Sequence, residues 1–174
     1  MKKTLKIGYN FDLIFIIPRT EQDFLKMANK KENHKNWSPL DKGSFFVTTL
    51  GIIFDTTNRK ILIGRRENDP HIRKLTWSFP GGSPEHGIDL ERSVERLIEK
   101  KTGLDVKNLG CIFARISKEN KNFLLIYYLC EVIGGKENPK DDLHELKWVK
   151  PTELESYFTT SLDPRLKEYI MHLK

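Results

Sequence analysis

The stretch from Trp77 to Leu104 constrains the fold more than any other. It runs Trp-Ser-Phe-Pro-Gly-Gly, then Ser-Pro-Glu-His-Gly, then a segment that keeps helical character up to Gly103. Pro80 closes an extended segment, and Gly81 and Gly82 permit a tight reversal that a side chain would obstruct. Asp89 stands where a helix N-cap belongs, and Leu90, Val94, Leu97 or Ile98, and Leu104 supply an apolar side. Gly103 is the expected C-terminal stop. The spacing therefore predicts a helix over 89–102 packed by one face on a sheet, with Val94, Ile98 and Leu104 buried.

The sheet is legible on both sides of that helix. Phe45 to Phe54 is an apolar, β-branched run that reads as a buried strand, Asp55 to Arg59 as a turn, and Lys60 to Gly64 as the returning strand. Beyond the helix, Val106 to Ser117 and Phe123 to Val132 read as strands around the charged turn Lys118-Glu-Asn-Lys-Asn, and Leu143 to Val149 as one more. Pro151 starts a short helix, and a last helix over Pro164 to Leu173 is expected to pack on the outside. Ahead of all this, Lys6 to Tyr9 and Leu13 to Ile17 suggest a hairpin, and Glu21 to Lys31 is helical in character. A polar connection from Glu32 to Lys42 follows. The expectation is an N-terminal hairpin and helix extension, 1–43, packed on a core domain, 44–174.

A chain of 174 residues with 38% hydrophobic content has the size of one domain. Thirty Lys and Arg against 24 Asp and Glu give a formal charge of +6, which suits anionic partners and equally a lysine-rich solvated surface. Cys111 and Cys130 fall within strand-like stretches and read as small buried residues, which suits a reducing cytoplasm. The best apolar run near the start, Leu13 to Ile17, is too short for a membrane span and is closed by Pro18. No membrane association is expected. Rossmann, P-loop, zinc and Ser-His-Asp patterns are absent.

The glycine turn and helix resemble the Nudix box, G-x5-E-x7-R-E-U-x-E-E-x-G-U with U aliphatic. Gly82, Arg96, Ile98, Gly103 and Leu104 fall in register, with the family separation of 21 residues between Gly82 and Gly103. The resemblance extends over about residues 44 to 160, including the segment His144-Glu-Leu-Lys-Trp-Val-Lys-Pro-Thr-Glu-Leu154. It implies an α/β fold of the α+β type, a mixed β-sheet sandwiched between helices. Four signature carboxylates are missing, however: Ile88, Leu97, Lys100 and Lys101 stand where the family keeps Glu. Family members use those Glu residues to hold magnesium, a hard cation that takes oxygen ligands. Leu97, Lys100 and Lys101 occupy one patch, and Glu95 and Glu99, each two residues from the Leu97/Lys101 row, lie roughly 160 to 200° around the helix from that row. The expectation is that no metal is ligated by this helix.

Two functional readings stay open. One is a divergent Nudix hydrolase acting on a nucleoside diphosphate linked to another moiety, of the nucleotide-sugar type, which would use Mg2+ or Mn2+ through ligands recruited from Glu85, Glu145, Asp141 or Asp142. The segment Glu95-Arg96-Leu97 is similar to the box of GDP-mannose mannosyl hydrolases, although that branch keeps a Glu at the position of Lys101. The other is an inactive Nudix module that binds RNA, a nucleotide or a protein partner. Homodimerisation through the N-terminal hairpin is open in either. Candidate bases are Glu145 and Glu85. Candidate ligand-binding residues are Gly82, by its backbone, with Arg65, Arg66, Arg96 and Lys101, whose ammonium would neutralise a diphosphate as a point charge. The plainer reading of the same lysines is a solvated helix end set against the C-terminal dipole.

Overall fold

The computed structural model describes residues 44–173. The expected hairpin over 6–17, the helix over 21–31 and their packing on the core lie outside the described residues. Seven strands form one sheet: β1 (Phe46–Asp55), β2 (Lys60–Arg65), β3 (Trp77–Ser78), β4 (Gly81–Gly82), β5 (Leu104–Ile116), β6 (Phe123–Gly135) and β7 (Glu145–Val149). The helices are α1 (Leu90–Thr102), a 3-10 turn at Pro151–Glu153 that runs into α2 (Leu154–Tyr157), and α3 (Pro164–Met171). The order is β3-β2-β1-β6-β5, with β4 also on β1 and β7 also on β2. Since β1 and β6 run parallel and the other pairs antiparallel, the sheet is mixed.

The apolar, β-branched character of β1 follows from burial of its second half on both faces. Ile52 and Phe54 project into one core layer with Ile61, Ile63, Phe79, Leu154, Leu166 and Ile170. Ile53 projects into the other, with Leu62, Tyr128 and Cys130, and meets Val94 and Ile98 of α1. Helices thus cover both faces, α1 on one and α2 with α3 on the other. Leu166 and Ile170 are fully buried, so α3 closes the core and is not an external addition.

Val94, Ile98 and Leu104 are buried as their periodicity requires. Gly103 takes a left-handed φ of 73° and donates its N–H to Glu99 O, ending α1. Two expectations need correction. Asp89 occupies the N-cap position, but its side chain makes no capping hydrogen bond, and Leu90 is exposed. Cys111 is exposed as well, on the edge strand β5 where the register shifts, whereas Cys130 is buried. Among the described residues no helix is long and apolar enough to cross a membrane.

Candidate functional site

The end of α1 is built into the sheet edge by backbone hydrogen bonds. The N–H groups of Lys136, Asn138 and Lys140 donate to Gly103 O, Thr102 O and Lys101 O, satisfying carbonyls that a free helix end would leave to water. That segment carries Asp141 and Asp142 to the two helix lysines. Lys100 Nζ lies 3.1 Å from Asp141 Oδ2, and Lys101 Nζ lies 2.8 Å from Asp142 Oδ1. Arg66, at the end of β2, pairs with the same Asp142 carboxylate and with Asp69 at 3.3 Å.

Lys101 turns inward while Lys100 stays in solvent: its side chain is only 12% exposed. A β-carbon placed on Gly82 would lie 3.2 Å from Lys101 Nζ and 3.9 Å from Leu97 Cδ2. The glycine turn and the helix face predicted to share a patch therefore do meet, and an ammonium fills the junction. The Gly82 carbonyl accepts from Thr49 Oγ1 at 3.3 Å. Burial pushes the Lys101 pKa from 10.5 down to about 8, helped by the Arg66 charge and opposed by Asp141. Burial also lowers Arg66 from its ordinary value.

Gly82, Lys101, Arg66 and Asp142 form one wall of a cavity of about 500 Å3. Its floor is the β1–β6 face, with Thr48, Leu50, Leu125 and Tyr127, and aromatic rings close its sides. Phe46, His71 and Phe123 group with centroids 5.1 to 6.4 Å apart. The opposite wall carries Arg115, Ser117, Glu119 and Ser161. Arg115 Nη2 donates to Ser161 O at 2.6 Å, and Glu119 Oε1 accepts from Ser161 N at 2.7 Å. Burial raises the Glu119 carboxyl, but hydrogen bonds from Ser161 and the local backbone, with the Lys74 charge, together outweigh it and leave the group below its ordinary value. No motif signals this wall, because its members come from β5 and two loops. The alternation Arg115, Ser117, Glu119 is the one local hint.

The remaining sequence candidates lie elsewhere. Arg65 pairs with Glu67 and, at 3.6 Å, with Glu145, its partner across the β2–β7 ladder. Arg96 pairs with Glu85 at 3.1 Å, and the Glu85 N–H donates to Ser93 Oγ. None of these four lines the cavity. Glu95 faces away from the glycine turn and accepts from the Asn108 N–H at 2.8 Å.

The donor set does not fit a divalent metal at the box helix. An ammonium abuts the Gly82 position, Asp141 and Asp142 are paired with the two helix lysines and Arg66, and Glu85 and Glu145 are paired with Arg96 and Arg65. Among the described residues no three His, Cys, Asp or Glu side chains converge. A metal of the kind the family uses would meet positive charge here.

A mixed sheet between helices, with a glycine turn against the end of the box helix, is the Nudix architecture. The chain belongs to the NUDIX domain family, whose pattern matches residues 45–173. Solved structures share the fold at low identity. A UDP-X diphosphatase is 16% identical with a TM-score of 0.60, over 87% of this chain and 71% of that one. The MutT protein from Methanosarcina mazei Go1 is 16% identical with a TM-score of 0.57, over 75% and 93%. A MutT NUDIX hydrolase from Burkholderia pseudomallei is 20% identical with a TM-score of 0.54, over 76% and 100%. No curated protein matches the sequence significantly.

Proposed function

We propose that this protein binds a nucleoside diphosphate linked to a second moiety, of the nucleotide-sugar type, and holds the diphosphate with Lys101 and Arg66 where relatives use metal. The observation that carries this reading is the Lys101 ammonium at the Gly82 turn, on the wall of a cavity large enough for a nucleotide. A buried ammonium beside a guanidinium is an anion site. In the ligand-free chain Asp142 neutralises both cations, and a diphosphate exchanges for it. The UDP-X diphosphatase among the structural neighbours supports a nucleoside diphosphate class of ligand.

Hydrolysis in this reading is weak or absent. Glu145 and Glu85 are engaged by Arg65 and Arg96 outside the cavity, so neither stands ready as a general base. The same pairing supports the alternative of a wholly inactive nucleotide- or RNA-binding module. Two free thiols suit a cytoplasmic protein.

The test is calorimetric binding of nucleotide sugars to the parent and to Lys101→Ala at low and moderate salt, with product release followed in parallel. Each charge-assisted contact is worth about 1.5 to 3 kcal/mol, so the variant should lose about one to two decades in affinity. Unchanged affinity in the variant, or no nucleotide binding by the parent, overturns the reading.

A further inference from the structure

The wall opposite Lys101 is polar and incompletely satisfied. Arg115 Nε and Nη1 are buried without a well-aligned hydrogen bond among the described residues, with the Tyr127 phenol close to the guanidinium and Nη2 anchored on Ser161 O. Buried donors in that state are uncommon and point to a missing acceptor. Glu119, on the same wall, pairs with Lys74 at 3.9 Å and makes no ion pair with Arg115. This cavity wall thus carries a guanidinium with unused donors and a carboxylate that accepts one hydrogen bond on each oxygen, from Ser161 N and Ser117 Oγ, and keeps lone pairs for a further donor.

The sheet fixes how far this wall lies from the diphosphate end. Gly82 pairs with Thr49 on β1, the neighbouring Thr48 pairs with Leu125 on β6, and Leu125 pairs with Arg115 on β5. Three strand spacings of about 4.8 Å separate Gly82 from Arg115, roughly 14 Å. That is the reach of an extended nucleoside diphosphate from its terminal phosphate to the far edge of its base. The sugar would then cross Thr48 and Leu125, and the base would arrive beside Phe46, Phe123 and His71, whose rings offer stacking surfaces.

We propose that the Arg115–Glu119 end of the cavity reads the base and selects a lactam base, one with a ring carbonyl beside a ring N–H, as guanine and uracil have. The guanidinium donates to the carbonyl and the carboxylate accepts from the N–H. Adenine and cytosine present an amino donor toward Arg115 and a bare ring nitrogen toward Glu119, so both contacts fail. A site built on buried polar groups rejects such a mismatch because its own groups are then left unpaired.

This inference rests on the nucleotide reading above, and a panel of four ligands separates the two. Binding of GDP, UDP, ADP and CDP to the full chain is measured by calorimetry, then repeated with Glu119→Gln and Lys101→Ala. The expected result is that GDP or UDP binds about 10- to 100-fold more tightly than ADP and CDP. The GDP to UDP ratio then tells purine from pyrimidine. Glu119→Gln should narrow the gap, whereas Lys101→Ala should weaken all four ligands and keep it. Equal affinity for all four overturns base selection and leaves diphosphate binding standing. Binding of none overturns both. The comparison within the parent protein does not depend on either variant folding.

Discussion

The Lys101 ammonium occupies the space that a side chain at Gly82 would take: a β-carbon there would lie 3.2 Å from Lys101 Nζ. In the family pattern the same two positions are a glycine and a metal-binding glutamate. One substitution reverses the charge at the junction of turn and helix, and the surrounding structure accommodates it. Asp142 pairs with the ammonium at 2.8 Å, carried there by a segment that also satisfies the end of α1.

Titration of Lys101 should separate binding from stability. Burial holds its pKa at about 8 against 10.5 for a free lysine, so the folded chain loses the proton first as pH rises. Between those values the unfolded chain binds more protons, and folding stability attributable to Lys101 rises with pH. Affinity for an anionic nucleotide falls over the same range as the ammonium is lost. Urea unfolding and nucleotide binding at pH 7 and pH 9 should therefore move in opposite directions in the parent. Both trends should flatten in Lys101→Met, and persistence of either would place its source elsewhere.

Gly81 should tolerate no side chain. It holds a φ of 149°, and a β-carbon there would collide with the Thr49 carbonyl and approach Leu50 Cα to 2.9 Å, both backbone atoms of β1. Gly81→Ala should destabilise by about 1 to 3 kcal/mol, read as a lowered urea midpoint at unchanged slope. A midpoint equal to the parent's would mean that the turn relaxes without cost.

Ile98→Ala should cost about 2 to 5 kcal/mol. Ile98 is fully buried and packs on Gly51 of β1, where an added β-carbon would strike its Cδ1. Thermal unfolding of the variant checks this directly. A loss below about 1 kcal/mol would contradict α1 as a core element.

The box helix and most strands could be read from sequence because local rules and burial agree there. Val94 and Ile98 keep helical spacing, Gly103 can take the left-handed stop, and the second half of β1 is apolar on both sides because both its faces are covered there. Local rules failed where tertiary position decides. Leu90 belongs to the apolar stripe but is exposed, and Cys111 is exposed on β5, the last strand in the order among the described residues. The site divides in the same way. Gly82, Lys101 and Arg66 were reachable from the box and its flank. Arg115 and Glu119 acquire meaning only when β5 and the 158–162 segment close a common cavity with β1.

The two thiols should differ in reactivity. Cys111 is exposed, whereas burial pushes the Cys130 thiol up to about 12 and removes it from solvent. Native-state alkylation followed by mass spectrometry should modify Cys111 alone, with Cys130 reacting after denaturation. Equal labelling in the native state would show that the core around Cys130 opens readily.

Restoring the missing carboxylates should restore cation affinity. Leu97→Glu, Lys100→Glu and Lys101→Glu together would set carboxylates on the helix face beside Gly82, the arrangement a hard cation requires. Calorimetry should detect magnesium binding in the triple variant and none at this helix in the parent. Tight magnesium binding by the parent, lost on changing residues of α1, would contradict the register on which the site is built.

The most direct measurement is the affinity for GDP and UDP with EDTA present and again with millimolar magnesium, in the parent and in Lys101→Ala. The account predicts that the parent binds in EDTA, that magnesium changes its affinity no more than a few-fold, and that Lys101→Ala weakens binding by about one to two decades in both conditions. Binding that appears only with magnesium and survives Lys101→Ala would contradict it.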